Sequence, residues 1–213
     1  MKKLVLATKS KRRIELLRAI GADFIVVEPR GVVEVYDGDP REVVLENARR
    51  KAYSVVDLVP RDSVIVAADT IIAIDDGRVI GKPPSVNEQV AILKRLRGRW
   101  HRVLTGVFII DMSEKTVDYF VEETRVKMRY FTDKELELYA ASLEGLGKAG
   151  GYAIQGLGSL LIEKIDGDYY NVVGLPLARL HVYLLKHGIN ILESGVMKRV
   201  VGGSRGHLFS STL

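Results

Sequence analysis

Residues 63–74 read Ser-Val-Ile-Val-Ala-Ala-Asp-Thr-Ile-Ile-Ala-Ile, an apolar strand interrupted at its middle by a carboxylate. Such β-branched, apolar content suits a strand in a packed interior. Burying an unpaired carboxylate costs several kcal/mol, so Asp69 requires a cation, a metal or a hydrogen-bond donor beside it. What surrounds this strand therefore decides both the fold and the chemistry.

Around it, short apolar runs alternate with capped helices. Lys3–Thr8 reads as a buried strand, and Ser10 as the cap of a helix through Ala19. Three further helix starts carry capping boxes: Asp39 with Pro40 and Glu42, Ser85 with Glu88, and Thr132 with Glu135. The Ser85 helix ends near Arg97, with Gly98 as its stop, and a last helix follows Gly174 and ends by Gly188. Further strands are expected at Arg78–Lys82, His101–Asp111, Val117–Arg129 and Ser159–Ile165. Strands mixed with helices throughout imply an α/β fold around a mixed sheet. Residues 1–193 read as one catalytic domain. Residues 194–213 read as a basic, Gly/Ser-rich tail, loosely ordered for lack of periodicity.

The turn Asp75-Asp76-Gly77 supplies a candidate neighbour for Asp69. If Asp76-Gly77 is a two-residue turn, Lys82 lies opposite Ile71 and diagonal to Asp69, at roughly 7–8 Å. That gap suits a bracketed phosphate or metal; a plain Asp–Lys pair at a strand end is the structural alternative.

A second candidate is Thr8-Lys9-Ser10-Lys11-Arg12-Arg13, at a strand-to-helix junction. Cations in a first helical turn oppose the helix dipole by roughly 0.3–1 kcal/mol each. Three in succession make sense if an anion sits on the helix start, held by backbone N–H groups, hydroxyls and guanidinium forks. From spacing alone a solvated basic turn fits equally well. The Walker pattern GxxxxGK[ST] is absent.

The third is Gly145–Gly158, six glycines in fourteen residues, with Lys148 and Gln155 among them. Such a loop can approach a ligand closely, and Gln155 could read a base edge; an ordinary flexible loop fits too. On the Pro40–Val56 helix, Lys51 lies near the apolar face, where a snorkelling lysine is the usual explanation. Glu34, in the loop before that helix, suits a metal ligand or a solvated surface acid.

Composition narrows the class. With 47% hydrophobic residues, 28% charged residues and no cysteine, the chain has ample core material but no disulfide, thiolate site or cysteine nucleophile. No run approaches the ~18 apolar residues of a membrane span, and Leu4–Ala7 is too short for a signal-peptide core. A cytoplasmic location follows as the expectation. The net charge of +5 is local: residues 1–18 hold seven Lys/Arg against Glu15, and residues 194–213 hold three against no acid. Local patches suit a small anion and weigh against a nucleic-acid-wrapping surface.

Read in order, the motifs resemble the Maf family, also called septum-formation-inhibitor-like proteins, over about residues 3–192. The resemblance is carried by Leu6-Ala7-Thr8-Lys9-Ser10-Lys11-Arg12-Arg13, Ala68-Asp69-Thr70-Ile71-Ile72 and Gly81-Lys82-Pro83. It continues through Gly98-Arg99-Trp100-His101, Thr105-Gly106-Val107, Lys148–Gly156 and Asn171–Pro176. Lys11 stands where the family motif has proline, and Gly147 where it usually has an acid.

The resemblance implies a two-lobed fold around an elongated mixed sheet, with the ligand cleft between the lobes. It implies hydrolysis of a nucleoside triphosphate to monophosphate and pyrophosphate with a divalent cation, Mg²⁺ or Mn²⁺. Arg12, Thr70 and Gln155 match the dTTP/UTP branch, so the implied substrate is a pyrimidine nucleotide, including modified forms. On this reading Asp69 holds or deprotonates the attacking water, Glu34 shares the metal, and Ser10, Arg12, Arg13, Lys51 and Lys82 bind the triphosphate. A homodimer is common in the family. The competing class is a non-enzymatic nucleotide sensor or nucleic-acid binder linked to cell division.

Overall fold

A computed structural model of the chain describes residues 2–74 and 77–202. Its strands are β1 (Lys3–Ala7), β2 (Ile25–Val27), β3 (Ser63–Ala73), β4 (Val79–Ile80), β5 (Trp100–Asp111), β6 (Thr116–Met128) and β7 (Ile162–Asp166). The helices are α1 (Lys11–Ala19), α2 (Pro40–Tyr53), α3 (Val86–Leu96), α4 (Asp133–Ala141), α5 (Tyr169–Val173), α6 (Leu177–Lys186) and α7 (Ile191–Gly202). Seven strands form one mixed sheet in the order β2-β1-β3-β5-β6-β7, with β4 added beside β3. The β1–β2 and β1–β3 pairs are parallel, and β3, β5, β6 and β7 pair antiparallel in succession. This is the mixed α/β fold expected.

The alternation of β3 assigns its side chains to two faces. Val64, Val66, Ala68 and Ile72 join the largest apolar cluster, with Leu16 and Leu17 of α1, Leu93 and Leu96 of α3, and Leu180 and Leu184 of α6. Ile65 and Ala67 pack instead against Ala48 and Ala52 of α2. Ile71 and Ala73 pack against Val43 and Val44 of the same helix. The α2-facing stripe is thus two apolar clusters, and Asp69 lies at the position between them.

One edge of β3 is shared. Its first half pairs with β1 as far as Ala7–Ala67, and its end pairs with β4 at Ile72–Ile80. Residues 68–71 fall in the gap between these partners. Here the chain leaves β1 for α1, the place where open α/β sheets commonly bind ligands.

The caps formed largely as expected. Thr132 and Glu135 make a reciprocal capping box, Ser85 accepts from the Glu88 amide, and Asp39 accepts from the amides of Arg41 and Glu42. Ser10 is the exception: it occupies the N-cap of α1, but its side chain makes no capping bond.

The β3–β4 hairpin differs from expectation by one residue. Ile72 faces Ile80 and Ala73 faces Val79, and the Gly77 amide donates to Ile74 O. Three residues therefore link Ile74 to Arg78, which moves the register by one. β4 also stops at Ile80, so Lys82 is not the strand neighbour of Asp69 that a two-residue turn would give.

Residues 194–202, expected to begin a loose tail, belong to α7, so the expected 193/194 boundary falls inside that helix. Ile191 is buried, and Gly195 rests on the end of α1: a Cβ there would lie 2.5 Å from Ile20 O. Packing rather than intrinsic periodicity holds this helix, with Lys198 Nζ donating to Ala22 O at 2.9 Å. The remainder of the tail, 203–213, lies outside the described residues. Two short elements, β2 and α5, were also absent from the sequence reading, and the expected strand at 159–165 begins only at Ile162.

Candidate active site

The gap in the β3 edge opens into a cleft of about 740 Å³. The β1–α1 turn, the segment 29–36, α2, β3 and the Gly-rich loop all contribute to its wall. Asp69, Ser10, Arg12, Arg13, Lys51, Thr70, Lys82 and Glu34 all line it; Gln155 does not, lying exposed farther along the Gly-rich loop.

Asp69 is 2% exposed, and its partners come from α2. Lys51 Nζ donates to Oδ1 at 2.6 Å, and Asn47 Nδ2 donates to Oδ2 at 3.0 Å. Asn47 and Lys51 are four residues apart, so they project from one face of the helix toward the carboxylate. Lys51 does not snorkel. Its ammonium lies 2.6 Å from both Asp69 and Glu34, bridging two carboxylates that would otherwise repel each other. Leaving either side of such a buried pair unmatched costs about 3–5 kcal/mol.

Glu34 is the hub of the outer half. Lys82 Nζ donates to it at 2.9 Å, and the Tyr36 hydroxyl donates at 2.5 Å. Lys82 therefore partners Glu34 rather than Asp69. Burial opposes the Glu34 charge, but the charge and hydrogen bond of Lys51, with those of Tyr36 and Lys82, outweigh it and bring its pKa down to about 2. The Tyr36 hydroxyl moves the other way, held protonated by burial and by its bond to Glu34.

Thr70 points to the opposite face of β3 from Asp69, yet both reach the cleft because the strand has no partner strand at that edge. Arg13 donates from Nη2 to Thr70 Oγ1 at 2.8 Å and from Nε to Gly174 O at 2.7 Å. Thr70 in turn meets Thr105 Oγ1 at 2.9 Å, and Thr105 donates to Asn171 O. The proton directions follow from the fixed donors at one end and the carbonyl at the other. Arg13 and Arg12 both have their pKa lowered, chiefly by burial.

At the start of α1, Thr8 Oγ1 accepts from the Ser10 amide. Because the Ser10 side chain does not cap, amides of the first turn remain for an anion, which is where Lys9, Lys11 and Arg12 also line the wall. Lys148, on the opposite wall, has its pKa lowered by burial and by Arg12. Beneath the wall, the Tyr152 hydroxyl meets His101 Nε2 at 2.7 Å, and burial brings His101 down to about 4.

Among the described residues, no group of three or more His, Asp or Glu could hold a metal ion by itself. Glu34 and Asp69 present oxygen donors alone, the chemistry that Mg²⁺ and Mn²⁺ accept when substrate phosphates complete the shell. No described helix is long and apolar enough to cross a membrane.

Sequence reasoning missed Asn47, Tyr36 and Thr105. Thr105 lay inside a quoted motif, whereas Asn47 carried no signal beyond being a polar residue on the apolar stripe of α2.

A family model described as Maf-like protein matches residues 3–187. A dTTP/UTP pyrophosphatase of Staphylothermus marinus is 56% identical over 206 residues, spanning 96% of this chain and 99% of its own length. Proteins of the same name from Dictyoglomus thermophilum and Carboxydothermus hydrogenoformans are 45% and 44% identical. They cover 90% and 87% of this chain, and each is matched over 99% of its own length.

Proposed function

The chain belongs to the Maf-like protein family, and on that premise we propose that it is a nucleoside triphosphate pyrophosphatase. Its substrates on this reading are dTTP, UTP and related modified pyrimidine nucleotides, in the cytoplasm. The observation that carries the reading is the charge of the cleft. Lys9, Lys11, Arg12, Arg13, Lys51, Lys82 and Lys148 line it against two carboxylates, Glu34 and Asp69. Such a surplus of cations around one buried, oriented acid suits a polyphosphate being attacked beside it.

In the proposed reaction Asp69 orients a water and takes its proton as the oxygen bonds to the α-phosphorus. The bond from that phosphorus to the α–β bridging oxygen breaks, and pyrophosphate leaves with the electron pair. Ser10, the first-turn amides of α1, Arg12, Arg13, Lys51 and Lys82 hold the phosphates and oppose the charge that develops on them. A divalent cation held by Glu34 and Asp69 would add further charge neutralisation at the phosphates when bound. Arg12 and Thr70 are the candidates for selecting the pyrimidine from the cleft wall, whereas Gln155 lies outside it. The Thr70 hydroxyl is already committed to Arg13 and Thr105, so it acts by fixing Arg13.

Pyrophosphate release tests the reading, measured over dTTP, UTP, the other common triphosphates and base-modified pyrimidine triphosphates with Mg²⁺ or Mn²⁺. Turnover is expected to be highest with dTTP or UTP and their modified forms. Salt-sensitive nucleotide or polynucleotide binding without turnover would favour the binding-module alternative instead. Release of orthophosphate alone would move the cleaved bond away from the α–β position.

A further inference from the structure

Asn47 is fully buried, and every donor and acceptor on its amide is used. Oδ1 accepts from the Val35 amide at 2.8 Å, and Nδ2 donates to Val35 O at 2.9 Å. The side chain therefore stands in for a neighbouring strand, satisfying both backbone groups of one residue in a segment, 28–39, that has no regular structure of its own. The remaining N–H goes to Asp69 Oδ2 at 3.0 Å. The amide orientation is dictated by this network, since turning it over would set an oxygen against both the Asp69 carboxylate and the Val35 carbonyl.

Val35 sits between Glu34 and Tyr36, the two residues whose side chains meet at 2.5 Å. Fixing the Val35 backbone thus fixes where the Glu34 carboxylate stands relative to Asp69. Lys51, one turn further along α2, closes the same circuit through its bonds to both acids. A core asparagine serving packing alone would need neither the carboxylate contact nor a partner next to Glu34.

We propose that Asn47 is a positioning residue: one buried amide ties the Glu34 segment to Asp69 and sets the spacing of the two carboxylates. Its effect on turnover rests on the pyrophosphatase reading; the clamp itself does not. Asn47 is not placed against the substrate; it acts through the two acids, holding Asp69 Oδ2 directly and Glu34 by way of Val35.

Amide hydrogen exchange on the wild-type chain tests the clamp without any assay of turnover. The Val35 amide is expected to exchange more slowly than the other amides of segment 28–39, and Asn47→Ala to abolish that difference. Asn47→Asp is the near-isosteric companion: it keeps the acceptor for Val35 N–H and loses both donations. In either variant that melts near the wild-type temperature, kcat for dTTP is expected to fall about 10–100-fold, the usual scale for a supporting partner. KM should stay within about threefold, because Arg12, Arg13 and the first-turn amides of α1 are not touched by the change. A double-mutant cycle with Glu34→Gln should be strongly non-additive.

Fast exchange at Val35 in the wild type overturns the proposal, as does unchanged kcat in a folded Asn47→Asp protein or an additive cycle. A wild-type chain that releases no pyrophosphate from any nucleotide would instead overturn the pyrophosphatase reading, while slow Val35 exchange would still support the clamp.

Discussion

Gly106 stands directly across the ladder from Asp69, and a Cβ on Gly106 would lie 2.6 Å from the backbone carbon and oxygen of Val44. The missing side chain is what lets α2 lie low enough on the sheet for Asn47 and Lys51 to reach the carboxylate. Gly106→Ala is therefore expected to lift the helix, lowering stability by about 1–3 kcal/mol as overpacked cores do. Pyrophosphate release should fall as well, out of proportion to the loss of folded protein. Thermal melting and kcat measured on the same samples check both effects.

Asp69→Asn keeps the size of the side chain and removes its charge. The fold is expected to survive, with pyrophosphate release lower by on the order of 10²–10³, the scale for losing one preorganised electrostatic group. Circular dichroism with single-turnover kinetics checks it, and full turnover would remove Asp69 from the mechanism.

Arg13→Lys keeps the charge but not the planar fork that reaches Gly174 O and Thr70 together. A lysine cannot reproduce both bonds. Losing hydrogen bonds of this charged type costs about 1.5–3 kcal/mol. We expect kcat/KM for dTTP to drop by at least tenfold, and discrimination between dTTP and purine triphosphates to weaken. Steady-state kinetics on the two substrate classes reads both.

His101 makes stability depend on pH. Burial lowers its folded pKa to about 4 from 6.5, so the unfolded chain binds the extra proton first as pH falls. Its contribution is complete above about 6.5 and is lost between there and about 4. His101→Gln should flatten the melting temperature over that window while costing stability at neutral pH. A similar contribution from Glu34, whose pKa is lowered to about 2 from 4.5, is lost only at more acid pH. The two can be separated by comparing His101→Gln with Glu34→Gln across the full range.

Much of this arrangement was legible beforehand, because it rests on local signals. Thr132 with Glu135, Ser85 with Glu88, and Asp39 before Pro40 mark helix starts by chemistry confined to four residues. Asp69 stood out because a charge in an apolar strand is costly wherever the strand ends up. The pairings of Lys51 and Lys82 were not legible, since each depends on how distant segments meet. Lys82 lies beyond the end of β4 at Ile80, where it meets Glu34 rather than Asp69. Asn47 was invisible for a related reason: its partner Val35 is a backbone, and backbone groups leave no trace in residue type. α7 was misread because its hold on the molecule comes through Gly21 and Gly195, residues that ordinarily argue against a packed helix.

The polar trio Asp69, Asn47 and Lys51 divides the apolar ground beneath α2 into two parts, and that division bears on assembly as well as catalysis. If the helix slid one turn in one direction, Lys51 would enter the hydrocarbon around Val5, Ala7 and Ile65. In the other direction Asn47 would enter that around Ile71, Leu104 and Val121. Either error strands a charge or an amide without a partner, at a cost of several kcal/mol. Otherwise interchangeable valines and alanines would tolerate such a slip far better. The reactive centre thus doubles as an indexing mark, and a chain that has docked α2 correctly has already brought its acid, its amide and its ammonium together.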